Sequence, residues 1–365
     1  MSPSNLILRS HYLNPFKNLA LGSYISKSLS SKYLHSHDSL GSYVAKASSV
    51  LILSASHHGV LIGRNQNYLS ECNLPVMARD NVPLVRRDTG GGACYVDKGN
   101  RLFSFITQKD TRSQNYQIII DAIKSLGINV NIKGRNDIVV SDGNINPKIS
   151  GSAFSMDDKV MRHHGTILVN VDKDKLSTYL NPNKLKLSSH GVKSVRSRIA
   201  NLTDYNPNIT MGDIDTALIS QYKVNYPEST YEMLEIGPDY WNIESDSLFH
   251  KIYKELSSPS FIYDDMTIEK SGSKEVFHHK FEYGLYEFHV IIKESTEPFI
   301  MECKVYSDDL DVDFVNCLQG FIGFHCPITL RSDLELMTEQ WNDKHKTKLL
   351  EVMRILMQNS CVTLM

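Results

Sequence analysis

Arg86-Arg87-Asp88-Thr89-Gly90-Gly91-Gly92-Ala93-Cys94-Tyr95-Val96-Asp97-Lys98-Gly99-Asn100 is the least ordinary stretch of this 365-residue chain. Three consecutive glycines are costly in chain entropy, so their place between two apolar runs calls for a use of the missing side chains. Without Cβ atoms, backbone N–H groups can approach a ligand closely, as in anion-binding nests. Arg86 and Arg87 precede the glycines, and an arginine fork can hold a phosphate or a carboxylate through two hydrogen bonds. A tight hairpin with solvated arginines is the plainer alternative. The combination favours a site for an anionic ligand, set between two strands.

Outward from this segment, short apolar runs recur with turn residues between them. Val50–Leu53, Val60–Gly63, Val82–Val85 and Leu102–Ile106 read as buried strands. Asn5–Ser10 reads as another, followed after Asn14-Pro15 by a helix through Ile25. Tyr116–Leu126 has helical spacing and stops at Gly127. Asn129–Lys133, Asp137–Ser141, Lys148–Ser155 and Gly165–Val171 continue the strand series, and Asp213–Tyr226 reads as a helix. Many strands with few helices argue against a doubly wound parallel sheet and for an α+β fold with a mixed or antiparallel sheet. Pro227–Tyr263 reads as connecting structure with short helices. Phe277–Ile292 and Phe299–Tyr306 read as a hairpin, and Val312–Phe321 and Thr347–Met357 as helices. The expected division is a catalytic domain over 1–260 and a small α+β accessory domain over 261–365.

The composition excludes some classes. Forty-one per cent hydrophobic residues is enough for a core. No apolar run is long enough to span a membrane. A net charge of −2 argues against a globally basic nucleic-acid binder. That total hides a split. Residues 1–212 carry 26 Lys and Arg against 14 Asp and Glu, a net of +12, and residues 213–365 carry 13 against 27, a net of −14. The basic part suits an anionic substrate or an acidic partner, and the change of sign makes a boundary near 212 plausible. Six cysteines without a CxxC pair suit free thiols in a reducing compartment. Residues 1–37 contain no Asp or Glu and many serines, a transit-peptide-like composition from which mitochondrial import is expected, with a cytoplasmic location as the alternative.

Further candidates lie downstream. Lys148 opens a strand beside Gly151 and Ser150, where it could neutralise a carboxylate and a phosphate together. Asp137 could orient a metal or a ribose, or simply cap a turn. His163-His164 suggests a metal at first sight, but adjacent strand residues face opposite ways and cannot easily share one ion. No GxxxxGK[ST] or GxGxxG occurs, so a nucleotide would be held without a P-loop or a Rossmann turn.

Taken together, Gly63-Arg64-Asn65-Gln66-Asn67, Glu71-x-Asn73, Arg86–Asn100, Asn136-Asp137, Lys148-Ile-Ser-Gly-Ser-Ala153, His163-His164-Gly165-Thr166 and Ser194-Val-Arg196-Ser-Arg198-Ile-Ala-Asn201 resemble the lipoate–protein ligases. These share a superfamily with biotin ligases and octanoyltransferases. The resemblance implies a biotin/lipoate-ligase-type catalytic domain and a two-step reaction: lipoate and ATP, with Mg²⁺, give lipoyl-AMP, and a lysine of a lipoyl domain then takes the lipoyl group. Transfer from a preformed lipoyl-nucleotide or an acyl thioester is the alternative. By position, the resemblance implies nucleotide and acyl-adenylate contacts at Arg87, Gly92, Ala93, Cys94 and Tyr95. It implies an adenylate-binding loop at His164, Gly165 and Thr166, a role for Asp137, and a catalytic Lys148 on the carboxylate and phosphate. It implies lipoyl domains of 2-oxoacid dehydrogenase acyltransferases and the glycine-cleavage carrier as partners, no nucleic acid or membrane, and a monomer. Some positions depart from the family pattern. Asp88-Thr89 stands where a basic or polar residue plus Ser is usual, Cys94 where a small aliphatic residue is, and Val96 where His is frequent. Gly22-Ser23 stands in place of an acidic pair.

Overall fold

The computed structural model describes residues 4–30, 39–143, 145–157, 159–181, 199–227, 230–263, 273–293, 299–319 and 343–360. Backbone contacts divide the chain into two units, Met1–Arg64 with Tyr68–Asp264, and Asn65–Asn67 with Asp265–Met365.

The first unit opens with β1 (Ser4–Ser10), α1 (Pro15–Leu29), α2 (Leu40–Val44), β2 (Ala47–Ser54), β3 (Gly59–Ile62), α3 (Tyr68–Glu71) and α4 (Leu74–Arg79). It continues with β4 (Leu84–Arg86), β5 (Cys94–Val96), β6 (Asn100–Thr107), α5 (Arg112–Ser125), β7 (Val130–Lys133), β8 (Asp137–Val140), β9 (Lys148–Met156) and β10 (Met161–Leu168). It closes with α6 (Lys173–Tyr179), α7 (Met211–Asn225), β11 (Tyr231–Ile236), α8 (Ser247–Leu256) and α9 (Pro259–Tyr263). Eight strands form one mixed sheet in the order β11-β1-β2-β6-β10-β9-β8-β7, and β4-β3-β5 form a small second sheet. Within the large sheet β1 runs parallel to β11 and β2, and the remaining pairs are antiparallel.

Local chemistry explains the helix ends. Asn14 Oδ1 accepts from the N–H groups of Phe16 (2.9 Å) and Lys17 (3.3 Å), and Pro15 fills the first helical turn of α1, where its missing N–H costs nothing. Thr210 and Asp213 form a reciprocal capping box at the start of α7. Past α5, Gly127 turns the chain at φ +84°, a left-handed conformation that favours glycine.

The apolar runs are continuous because helices cover both faces of the large sheet. Leu6 and Leu8 pack with Leu21 and Ile25 of α1 and with Phe249 and Ile252 of α8. Ile7, between them, packs on the other face with Ile119 and Ile123 of α5 and Leu218 and Tyr222 of α7. In β2, Val50 and Ile52 join the first cluster and Leu51 and Leu53 the second. Full burial of such side chains stabilises by roughly 1.5–3 kcal/mol each.

His163 sits in this core. It is fully buried, its ring lies 4.5 Å from that of Phe154 and 4.8 Å from that of Tyr116, and neither ring nitrogen has a hydrogen-bond partner among the described residues. Burial, helped by the Arg112 guanidinium, pushes its pKa down to about 3. A depressed histidine pKa means that the unfolded chain binds a proton near pH 6.5 while the native chain does not. Stability is then lost as pH falls from about 6.5 toward 3, by about 1.4 kcal/mol per pH unit. His163→Leu is expected to raise stability at pH 7 by about 1–2 kcal/mol, since the orphaned polar ring goes, and to flatten this acid limb. Chemical denaturation at pH 5 and pH 7 checks both; an unchanged pH slope would contradict it.

The second unit is a meander of β12 (Ser273–Phe281), β13 (Gly284–Lys293) and β14 (Phe299–Ser307), with α10 (Val312–Leu318) and α11 (Asp343–Ser360). Phe281, Phe288, Val305, Phe314, Leu349 and Met353 are among its core residues.

Several expectations need correction. The change of charge sign near 212 falls inside α7, whose Ile214, Leu218 and Tyr222 are core residues, so it marks no boundary. The expected strand Gly165–Val171 begins at Met161, which puts His163 and His164 well inside it. Val50–Leu53 and Val60–Gly63 enter different sheets. Residues 231–236, read as connection, form an edge strand parallel to β1. The run Phe277–Ile292 is two strands broken at Glu282-Tyr283. Residues 31–37, Ser194–Arg198, Phe321, Cys326 and Cys361 lie outside the described residues.

Candidate active site

The triple-glycine segment connects β4 to β5, and both of those strands pair with β3, β4 in parallel and β5 antiparallel. Its path depends on absent side chains. Gly91 adopts φ +93°, and a Cβ on Gly63 would lie 2.1 Å from Gly91 O, which explains why the Gly63-Arg64 motif accompanies the glycines. The Arg64 N–H donates to Thr89 O at 2.8 Å.

The two arginines do not present bare charge, as the sequence reading expected. Arg86 is 1% exposed and donates from Nε to Ile262 O (2.8 Å) and from Nη1 to Gly63 O (3.2 Å) and Arg64 O (2.9 Å). Arg87 donates from Nη1 to Leu61 O (3.3 Å) and from Nη2 to Gly90 O (2.9 Å) and Gly92 O (3.0 Å). The Arg87 guanidinium thus braces the glycine backbone itself, while that of Arg86 ties the Gly63-Arg64 turn to the end of α9. Arg87 also lines the cavity below them.

That cavity measures about 260 Å³. Gly92, Ala93, Cys94 and Tyr95 line it from the glycine segment and β5, Lys148 from β9, and His164, Gly165 and Thr166 from β10. Leu19, Leu61, Leu102 and Phe103 supply apolar wall. Leu61 of β3 reaches the cavity, while Val50–Leu53 of β2 are core. His164, Gly165 and Thr166 lie in a regular strand paired with β6 and β9 rather than in a loop, because the strand continues through them to Leu168.

Lys148 and Asp137 stand at the ends of neighbouring antiparallel strands, and Lys148 Nζ lies 2.7 Å from Asp137 Oδ1. Asp137, like Arg86, Gly90 and Gly91, does not line the cavity, and it is the ion-pair partner of the lysine that does. Gly151 explains how the lysine fits: a Cβ there would lie 2.6 Å from Lys148 Nζ. The two adjacent histidines do face opposite ways. His164, on the cavity side, places Nε2 2.8 Å from Thr89 Oγ1. Burial, with Arg162 and Arg87 nearby, holds His164 well below the ordinary imidazole pKa, so it is neutral at pH 7.

Sequence reasoning missed a cluster beside the glycines, in which Arg162 and Ser23 are buried and Asp88 is partly exposed. Arg162 Nη2 donates to Asp88 Oδ1 (2.7 Å) and Nη1 to Ser23 Oγ (2.7 Å), and Ser23 Oγ donates to Asp88 Oδ2 (2.7 Å). Burial alone would raise the Asp88 carboxyl, but the Arg162 charge and these hydrogen bonds outweigh it and bring it down to about 2. A hint lay in the sequence: Ser23 and Asp88 are two of the departures noted above, and here they touch.

A cavity with an apolar wall, a side-chain-free anion approach and one aimed ammonium suits an acyl group joined to a phosphate. The comparisons agree. A family model described as the lipoyl protein ligase A/B catalytic domain matches residues 14–223. Lipoate-protein ligase A of Psychrobacter cryohalolentis is 34% identical over 322 residues, 86% of each chain. Lipoate–protein ligase 1 of Plasmodium falciparum is 39% identical over 231 residues, 61% of this chain and 55% of that protein. The crystal structure of P. falciparum LipL1 in complex with lipoate superposes with a TM-score of 0.75 at 29% identity, covering 98% of this chain and 100% of that one. On this match of fold and sequence, the chain belongs to the lipoyl protein ligase A/B family and is an enzyme of the lipoate–protein ligase type.

Proposed function

We propose that this ligase first joins lipoate to ATP and then passes the lipoyl group to a lysine of a lipoyl domain. In the first step a lipoate carboxylate oxygen attacks the α-phosphorus and pyrophosphate leaves. In the second the acceptor amine attacks the acyl carbon of lipoyl-AMP, and AMP leaves. The observation that carries the reading is the shared cavity, in which Lys148 and the glycine segment face one space with apolar walls.

The chemistry assigns the parts. Bringing a carboxylate to a polyphosphate sets two anions together, and the Lys148 ammonium reduces that repulsion while Asp137 holds it in place. The second step needs proximity more than an activated nucleophile, because a mixed anhydride is already reactive. Leu19, Leu61 and Leu102 take the acyl chain out of water. Among the described residues no three His, Cys, Asp or Glu side chains gather to hold a metal by themselves. A Mg²⁺ arriving with the nucleotide would supply further charge neutralisation. The basic balance of residues 1–212 suits acidic acceptor domains, and lipoyl domains of 2-oxoacid dehydrogenase complexes and the glycine-cleavage carrier are the proposed acceptors.

The test is the intact mass of a lipoyl domain after incubation with the protein, ATP, Mg²⁺ and lipoate. One lipoyl group per acceptor lysine is expected, with one pyrophosphate released. Lys148→Ala is expected to slow this by about 10²–10³-fold while the protein remains folded. Modification from supplied lipoyl-AMP alone, without pyrophosphate release, would make the protein a transferase. No modification from either donor would reject the reading.

A further inference from the structure

Glycines 90–92 have no side chains with which to fix their own position, so their place is set by the Arg87 guanidinium on Gly90 O and Gly92 O and by two further ties through the residues just before them. One tie is neutral, Thr89 Oγ1 with His164 Nε2 at 2.8 Å. The other is charged and closed: Arg162, Asp88 and Ser23 hydrogen-bond one another in a ring, each at 2.7 Å. The Arg162 side chain is 5% exposed and reaches the ring past Gly22, where a Cβ would lie 3.4 Å from Nη1. Arg162 and His164 are two residues apart on one strand and share the cavity-side face. Together they grip the two residues immediately before Gly90.

In this chain the acid lies on the segment and the small residues on the helix, and Arg162 supplies the cation. We propose that Arg162 is a positioning residue: through Asp88 and Ser23 it sets the height of the triple-glycine segment over β10, and thereby the affinity for an acyl-nucleotide. The proposal rests on the activity proposed above for its ligand, and on the hydrogen-bond ring for its geometry. A ligand held by backbone N–H groups is sensitive to their placement, since hydrogen bonds weaken steeply as their distance and angle depart from the optimum.

The experiment uses the full chain and three proteins: the parent, Asp88→Glu and Ser23→Ala. Asp88→Glu keeps the charge and the ion pair but lengthens the tie by one methylene. Calorimetric titration with lipoyl-AMP is expected to show its Kd raised by about tenfold or more, with KM raised and kcat little changed, and the thermal midpoint within a few degrees of the parent. Ser23→Ala, which leaves the ion pair, is expected to weaken binding by about threefold. A ligand-free readout runs alongside: amide exchange over residues 90–94 is expected to be about tenfold faster in both variants, with global protection unchanged. Parent-like exchange and parent-like Kd in Asp88→Glu would overturn the proposal; should that variant not fold, the same two results in Ser23→Ala would. A parent that fails to bind lipoyl-AMP tells against the proposed activity instead, and the exchange measurement then decides the positioning role alone.

Discussion

Gly151→Ala is expected to abolish most ligase activity without unfolding the protein. The added Cβ would lie 2.6 Å from Lys148 Nζ and 2.8 Å from its Cε, and no other described atom comes closer than Asp137 Oδ1 at 3.8 Å. Those close atoms are the far end of a flexible side chain, so the lysine moves and the strand stays. Gly151 does not adopt a left-handed φ, so alanine is compatible with its backbone and gains roughly 0.4–1 kcal/mol through the unfolded chain. Loss of the Lys148–Asp137 pair offsets this by about 1 kcal/mol or less, because both side chains are more than a third exposed. The two effects nearly cancel, and the thermal midpoint should stay within about 2 °C. The ammonium, however, has left its place, and kcat/KM should fall by about 10²-fold. A variant that ligates at the parental rate would show that Lys148 does not act from the position described.

Gly165→Ala is the same substitution on the neighbouring strand, with the opposite outcome. Gly165 pairs with Ser152 of β9 and Phe103 of β6. Its Cβ would lie 2.4 Å from Gly151 O and 2.7 Å from Phe103 Cζ. One of these is backbone in a hydrogen-bonded sheet, and the other is the ring of a 2% exposed core residue. Neither can move aside cheaply. Overpacking of this kind costs about 3 kcal/mol or more, which for a protein of this size lowers the thermal midpoint by roughly 5–10 °C. Circular dichroism melting of the two variants side by side makes the comparison. Parental melting of Gly165→Ala would contradict the packing described between β6, β9 and β10.

What the sequence revealed follows the same physics. Gly90–Gly92, Lys148 and the opposed His163 and His164 were legible because glycine runs, strand alternation and turn chemistry are local. The mixed sheet was legible from strand spacing. Tertiary facts were not. Arg86 and Arg87 look like surface charge beside a glycine loop, and only the fold shows their forks turned onto backbone carbonyls. Arg162 and Asp88 are 74 positions apart, and no periodicity announces that they meet. The strand Tyr231–Ile236 alternates only weakly, and its partner, β1, lies at the other end of the first unit. Gly151 was read as part of a motif, while its reason, the room it leaves for an ammonium three residues earlier, needs coordinates.

The most direct test of the whole account is a crystal structure of the protein soaked with lipoyl-AMP. Density for the phosphate between the Gly92–Tyr95 backbone and Lys148 Nζ, with the acyl chain along Leu19, Leu61 and Leu102, is the predicted result. The same ligand bound elsewhere, with that cavity holding only solvent, would contradict it.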